Sequence, residues 1–294
     1  MKKENRQHSG YVALIGRTNV GKSTFLNNIL ETKVSIVSPS PQTTREQILG
    51  IKTTSRGQIV FFDSPGVHKP HFKLNEKMMK AVHHSLMDAD IILYFMEIGD
   101  KREDEFILGL IKKLNKTTFL IINKIDKSNK ARILTQIDQF REHHDWSEIV
   151  PLSALKGDNV DRLEDLIFEY LPEGEPIFPP EEYTRQTEKY YIAELIREKI
   201  LNMSRQELPF TTGVMVQEIT ERERIFYVRA DIVVETLGQK KIIVGKHGSL
   251  VKQIGETARI DIEDYFDKKV FLDLFVKIVP NWRDSPLVLK DIFD

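Results

Sequence analysis

The 294 residues carry 43 basic and 44 acidic side chains, and a formal net charge of −1 excludes a protein that gathers polyanions by bulk charge alone. The absence of cysteine excludes disulfides and thiolate metal sites and suits a reducing compartment. The charged start, MKKENRQHSG, lacks the apolar core of a signal peptide, and apolar runs such as 91–96 are far too short to cross a bilayer, so a cytoplasmic protein is expected.

The chain is long enough for two domains. Residues 12–15 form an apolar run ending at Gly16, and 22–30 show a helical face in Phe25, Leu26, Ile29 and Leu30. Residues 48–54 and 58–62 read as strands around the turn SRG. Helices are predicted over 74–87, 103–114, 132–143 and 160–170, and strands over 91–96, 118–122 and 149–152. This alternation implies βαβ units around a mixed, mostly parallel sheet, one antiparallel edge coming from the hairpin. The stretch LPEGEPIFPPEEYT (171–184) holds four prolines without periodicity and reads as a stiffened linker. Beyond it the expected order is a helix over 185–203, strands over 213–220 and 225–234 with ERER as their turn, a helical turn, a Gly-x-x-Gly bend, a long helix, and a strand over 271–279. The boundaries expected are 1–172, a linker over 173–184, and 185–294.

The chemistry begins at GRTNVGKS, which fits G-x-x-x-x-G-K-[ST]. A loop that wraps a polyphosphate must turn several backbone N–H groups inward, and Gly16 and Gly21 permit this. The loop opens onto a helix N-terminus, whose free N–H groups favour an anion. Lys22 adds charge at the terminal phosphates and Ser23 offers a hydroxyl to Mg²⁺. Asn19, Val20 and Thr24 complete the binding stretch. In FFDSPG, Asp63 ends an apolar strand and can hold Mg²⁺ through water, while the Gly66 amide can meet a γ-phosphate and sense its loss. In INKID, Asp126 can accept hydrogen bonds from the guanine N1–H and 2-amino group, which adenine lacks. Asn123 can brace that loop and face the guanine carbonyl, and the Lys124 stem can cover the ring. In LSALKG, the amides of Ser153 and Ala154 can meet the guanine O6. Each stretch ends a strand on the side where open α/β sheets bind ligands.

In this order GRTNVGKS, PQTTR, DSPG, NKID and SAL resemble the five nucleotide motifs of a translation-factor-class small GTPase domain, over residues 11–170. The resemblance implies GTP and GDP as ligands with Mg²⁺, and implies that Thr44 is the switch threonine that reaches the metal, Thr43 being the competing choice. Lys22, Thr44 and Gly66 are then the catalytic set. Ser23, Thr44 and Asp63 are the metal set. Thr18 and Ser64 replace the usual proline and threonine. Val67 stands where Ras-like domains carry a water-orienting glutamine, so hydrolysis is expected to be slow or assisted. Asn19 stands where some relatives bind a potassium ion, which makes K⁺ a further expected cofactor.

In the second half, VGKHG brings Gly245, Lys246, His247 and Gly248 into a bend that lets backbone amides approach a nucleic-acid backbone, with Lys240 and Lys252 on the adjoining helical rim. An ordinary glycine turn explains those residues equally well. The order of elements, however, resembles an α+β type II KH domain. Residues 242–283 and the LPEGEP junction resemble the Era family of GTPases. That resemblance implies a GTP-hydrolysing switch that binds small-subunit (16S) ribosomal RNA through the KH domain and assists assembly of the 30S ribosomal subunit, acting as a monomer; a peripheral membrane contact stays open. From 185 to 294 the chain holds 18 basic and 18 acidic residues, so any RNA affinity must be local. Ile242, Ile243 and Val244 fit either a groove floor or core, and Trp282 either stacks on a base or caps the last strand. Met78, Met79 and Met87 read as core filling, the paired histidines at 83–84 and 143–144 as solvated, and 100–105 as a charged helix start. The alternative function is an RNA-binding module whose guanine-nucleotide site barely turns over. An ATPase or kinase is disfavoured by NKID.

Overall fold

The computed structural model describes residues 6–40, 42–67, 72–100, 104–204, 208–222 and 225–293. Residues 1–5 of the charged start, Pro41 of PQTTR, residues 101–103 of the charged stretch at 100–105 and residues 223–224 of ERER lie outside the described residues.

The chain divides into two compact units. The first holds 1–35, 44–69 and 77–185. Its sheet has the order β2-β3-β1-β4-β5-β6, from β1 (His8–Gly16), β2 (Ile48–Thr54), β3 (Gly57–Asp63), β4 (Ile91–Glu97), β5 (Thr117–Asn123) and β6 (Glu148–Pro151). Only β2 runs antiparallel, paired along its whole length with β3 from Ile48 opposite Asp63 to Thr54 opposite Gly57. The parallel strands are apolar on both faces because helices cover both. On one side α1 (Lys22–Leu30) and α5 (Val160–Tyr170) bury Phe25, Leu26, Leu163 and Ile167 against Leu14, Phe61, Leu93 and Ile121. On the other, α2 (Lys73–Asp88), α3 (Glu105–Lys112) and α4 (Lys130–Phe140) set Val82, Leu86, Ile107 and Phe140 on Ile15, Ile92, Tyr94 and Ile122. Asp104 caps α3 and Asn129 caps α4, each accepting from first-turn amides. Met78 and Met79 are buried as expected, but Met87 is 62% exposed. It sits at the end of α2, one residue past the last inward position, Leu86.

The stretch expected as a linker belongs to the first unit. Its backbone is held on the outer flank of β2: Ile51 N–H donates to Tyr183 O at 2.9 Å, and Thr184 bridges Gly50. The buried Gln58 side chain donates to Phe178 O at 2.9 Å and accepts from the Ile177 and Phe178 amides at 2.8 Å each. Composition signalled an irregular path; the hydrogen-bonding capacity of an edge strand decides where it lies.

The second unit holds 186–294 together with 36–43 and 70–76. Its sheet, β7-β8-β9, comprises β7 (Gly213–Arg222), β8 (Ile225–Val234) and β9 (Val270–Ile278), with β8 antiparallel to β7 and parallel to β9. A helix α6 (Glu188–Met203), capped by Thr187, and a long helix α9 (Ser249–Phe266) cover one face with Ile192, Ile196, Ile254 and Ile262. The short α7 (Leu208–Thr211) precedes β7, α8 (Leu237–Val244) starts in a capping box of Thr236 and Gln239, and α10 (Pro286–Phe293) ends the chain. Neither α7 nor α10 was expected. Trp282 is fully buried and donates from Nε1 to Thr211 O at 2.9 Å, so it belongs to the core of this unit. Arg197, buried on α6, donates to Thr43 O and is paired with Glu194.

Candidate nucleotide and RNA sites

The strand–loop–helix at the head of β1 is built as the glycine spacing requires. Gly16 and Gly21 sit at φ of 156° and 98° and Asn19 at 63°, so the loop between β1 and α1 curls through positive φ. A Cβ on Gly21 would lie 2.2 Å from Asn123 Nδ2, so only glycine lets the guanine-side loop approach. Lys22 is buried, and its ammonium donates to Gly16 O at 3.3 Å and Arg17 O at 3.0 Å, inside the loop it is expected to serve. Burial lowers the pKa of this lysine to about 8, the charge of Asp63 pulling the other way.

Ser23, Thr44 and Asp63 come together although they stand on α1, on the segment before β2 and at the end of β3. Ser23 Oγ lies 3.0 Å from Thr44 Oγ1 and donates to Asp63 Oδ2 at 2.6 Å. Ser35, which the sequence did not single out, donates to the same oxygen at 3.0 Å. Asn27 fixes that serine by accepting from the Val34 and Ser35 amides at 3.0 and 2.9 Å. Asp63 is fully buried and its Oδ1 has no hydrogen-bond partner among the described residues. Burial pushes its carboxyl above the ordinary range, while Lys22, Ser23 and Ser35 pull it down. Two hydroxyls beside a half-satisfied buried carboxylate form a hard oxygen set that fits Mg²⁺ completed by phosphate and water. Among the described residues no three histidine, cysteine or acidic side chains cluster as a metal cage. Gly66 lies against the loop: a Cβ there would come within 2.8 Å of Thr18 N. Val67 is buried in the α2-side core and donates its amide to Gly16 O at 3.2 Å.

The guanine-side loops are braced by the protein's own hydrogen bonds. Asn123 donates to Val20 O at 2.7 Å and accepts from the Lys124 and Ala154 amides at 2.7 and 2.9 Å. Its side chain is therefore spent on tying three loops together, and the Ala154 amide is engaged with it. Ser153 Oγ donates to Asp126 Oδ1 at 2.6 Å, orienting an exposed carboxylate. Lys124, at φ 65°, donates to Asn19 O at 2.7 Å and so spans the mouth of the phosphate loop. Val20 and Thr24 flank Lys22 and Ser23, Val20 buried and Thr24 half-buried on the first turn of α1.

In the second unit Gly245 and Gly248 take φ of 73° and 79° and His247 takes 54°, which makes the break between α8 and α9. Lys246 and His247 are exposed at its tip and Lys240 lies on α8. Ile243 is core, whereas Ile242 is 53% exposed. Beside the bend, a groove of about 340 Å³ runs between α9 and β9, lined by Val251, Lys252, Gly255, Glu256, Arg259, Leu272 and Leu274. Lys252 lines it; Lys240 does not. Arg259, Gly255 and the two leucines were missed by sequence reasoning. The pairing of a helical glycine with inward alternation on the last strand was their only signal. An apolar floor flanked by Lys252 and Arg259, with Glu256 between them, suits unstacked bases and their backbone.

A phosphate loop, a hydroxyl–carboxylate metal set and a carboxylate-bearing guanine loop define a GTPase domain, and the second unit has KH topology. The family model for a 50S ribosome-binding GTPase matches residues 11–124, and the KH domain model matches 213–283. Among solved structures, a single-residue variant of Era from Aquifex aeolicus bound to GDP and aluminium fluoride is 39% identical, with a TM-score of 0.94, covering 97% of this chain and 99% of that one. Era in complex with MgGDPNP and nucleotides 1506–1542 of 16S ribosomal RNA is 40% identical, with a TM-score of 0.94, covering 97% and 98%. The chain belongs to the Era family of GTPases.

Proposed function

We propose that the protein is a GTP-hydrolysing switch that binds the 3′ region of small-subunit ribosomal RNA through its KH domain and assists 30S subunit assembly. The observation that carries this reading is the meeting of Ser23, Thr44 and Asp63 beside Lys22, around a carboxylate oxygen with no hydrogen-bond partner among the described residues. The 50S description attaches to the nucleotide-binding portion alone; the partner is read from the KH groove and from the RNA held by the relative. Mg²⁺, when bound, supplies charge neutralisation on the phosphates. Lys22 binds the terminal phosphates, the Gly66 amide holds the γ-phosphate, and Thr44 reports its presence. Ser153 fixes Asp126 against the base.

Val67 is buried in the core and cannot orient water. Hydrolysis therefore needs another group. We assign that part to a potassium ion at Asn19, which predicts faster turnover in potassium than in sodium buffer; equal rates remove the ion. Lys22, Ser23, Thr44, Asp63 and Asp126 all come from one chain, which supports a monomer, and the absence of cysteine suits the cytoplasm. No helix among the described residues is long and apolar enough to cross a membrane.

Multiple-turnover phosphate release, with and without a 3′-terminal 16S fragment, tests the whole reading. Asp126→Asn is expected to move preference from GTP to xanthosine triphosphate; unaltered guanine preference refutes the contact. The slow-turnover alternative is favoured by Val67, and is chosen if the RNA binds while release stays at a single turnover.

A further inference from the structure

Glu97 ends β4 one strand away from the guanine loop, and neither the motifs nor the proposed mechanism uses it. Its backbone is held on both sides. The amide donates to Asp100 Oδ2 at 3.0 Å, and the carbonyl accepts from Gln136 Nε2 at 3.2 Å. In register it faces Asn123, the residue that ties three loops together. Its carboxylate then does two things at once. Oε2 accepts from Lys124 Nζ at 2.5 Å, and Oε1 lies 3.4 Å from Lys127 Nζ. Those lysines bracket the single turn, Ile125–Lys127, that carries Asp126. Lys124 also reaches Asn19 O, and Lys124 itself sits at φ 65°, a left-handed conformation that a long side chain keeps only when the surroundings hold it. The pair is part-buried, Lys124 being 23% and Glu97 35% exposed, so it is screened less than a surface ion pair. Burial raises the Glu97 carboxyl, but Lys124 and Lys127 outweigh it and hold the group below its ordinary value, so it is ionised at neutral pH.

We infer that Glu97 is a positioning residue for guanine selectivity: its carboxylate clips both ends of the Asp126 turn and holds that turn against the phosphate loop through Lys124. Asp126 reads the base by two hydrogen bonds at once, and such a fork is sensitive to tilt. Loosening the turn weakens both arms of the fork, and guanine engages both while a base with a single donor engages one. Hypoxanthine lacks the guanine 2-amino group, so the loss falls more heavily on guanine than on inosine nucleotides. A role confined to stability would weaken both alike.

The proposal rests on the reading of Asp126 given above, and the experiment separates the two. GDP and IDP affinities are measured by titration calorimetry for the full chain and for Glu97→Ala, Glu97→Gln, Lys124→Ala and the double variant Glu97→Ala/Lys124→Ala. Glu97→Ala is expected to weaken GDP about tenfold and IDP only about twofold, with the isosteric Glu97→Gln intermediate. In the Lys124→Ala background the Glu97 effect should shrink to about twofold, because the clip acts through that lysine. Equal losses for GDP and IDP, or additive effects of the two substitutions, overturn the role of Glu97. If the parent protein binds GDP and IDP equally, the Asp126 reading itself fails. Should Glu97→Ala not fold, the same comparison is read from Glu97→Gln, which keeps shape and removes only charge.

Discussion

Lys22 is a full charge in a buried loop, and among the described residues two carbonyls and the nearby Asp63 compensate it. Its proton is therefore loosely held until phosphate arrives. With the pKa lowered from 10.5 to about 8, the unfolded chain binds more protons than the nucleotide-free fold between those values. The stability of that fold should accordingly gain from Lys22 as pH climbs through the window, the cost being fully present below it. Bound phosphate restores the charge, so GDP binding near pH 8.5 should take up a large fraction of a proton. Calorimetry in buffers of different ionisation enthalpy measures this; an uptake that is nil at pH 8.5 contradicts the burial argument. The same scale shows why site residues differ in legibility. Lys22, Ser23 and Asp126 are readable because backbone motifs fix their surroundings. Ser35, Asn27 and Glu97 act through contacts 28, 7 and 27 positions away, and nothing local marks them.

At the scale of elements, helix α1, strand β2, helix α5 and strand β8 fall where periodicity places them, because each buries a regular face. The last element, α10, escaped notice because its partner is a β7 glycine with no side chain to signal packing. Gly213 would put a Cβ 2.9 Å from Ile292 and 3.2 Å from Trp282. That close approach makes Trp282 the wedge between α10 and β7. Trp282→Ala should cost about 3–5 kcal/mol by cavity formation. Trp282→Phe fills most of the volume but leaves Thr211 O without its donor, for about 1–3 kcal/mol. Denaturant melts of the two variants check the order; a Phe variant as damaged as Ala would mean the hydrogen bond, not the volume, dominates.

At the scale of the whole molecule, three hydrophobic clusters, two on the faces of the first sheet and one in the second unit, support two chemistries, and the sequence announces both chemistries through motifs at loop tips while leaving the cores to periodicity. The proline-rich stretch is the exception. Proline withholds amide donors, yet the residues that follow offer their remaining backbone groups to β2 and to Gln58. Gln58 is fully buried, and its amide also donates to Thr53 Oγ1 at 2.9 Å. Substituting Gln58→Leu keeps the volume and strands the Ile177 and Phe178 amides. Sedimentation velocity across a concentration series should then reveal self-association missing from the parent; sedimentation unchanged by concentration would argue otherwise.

An open sheet ends in a row of idle donors and acceptors that any extended peptide can read. Here the centre of that row, at Leu49 to Ile51, is claimed by the chain's own proline-punctuated belt. An RNA-binding GTPase of this build thus has the middle of its β2 flank, Leu49 to Ile51, already occupied by its own chain when a stray strand comes near.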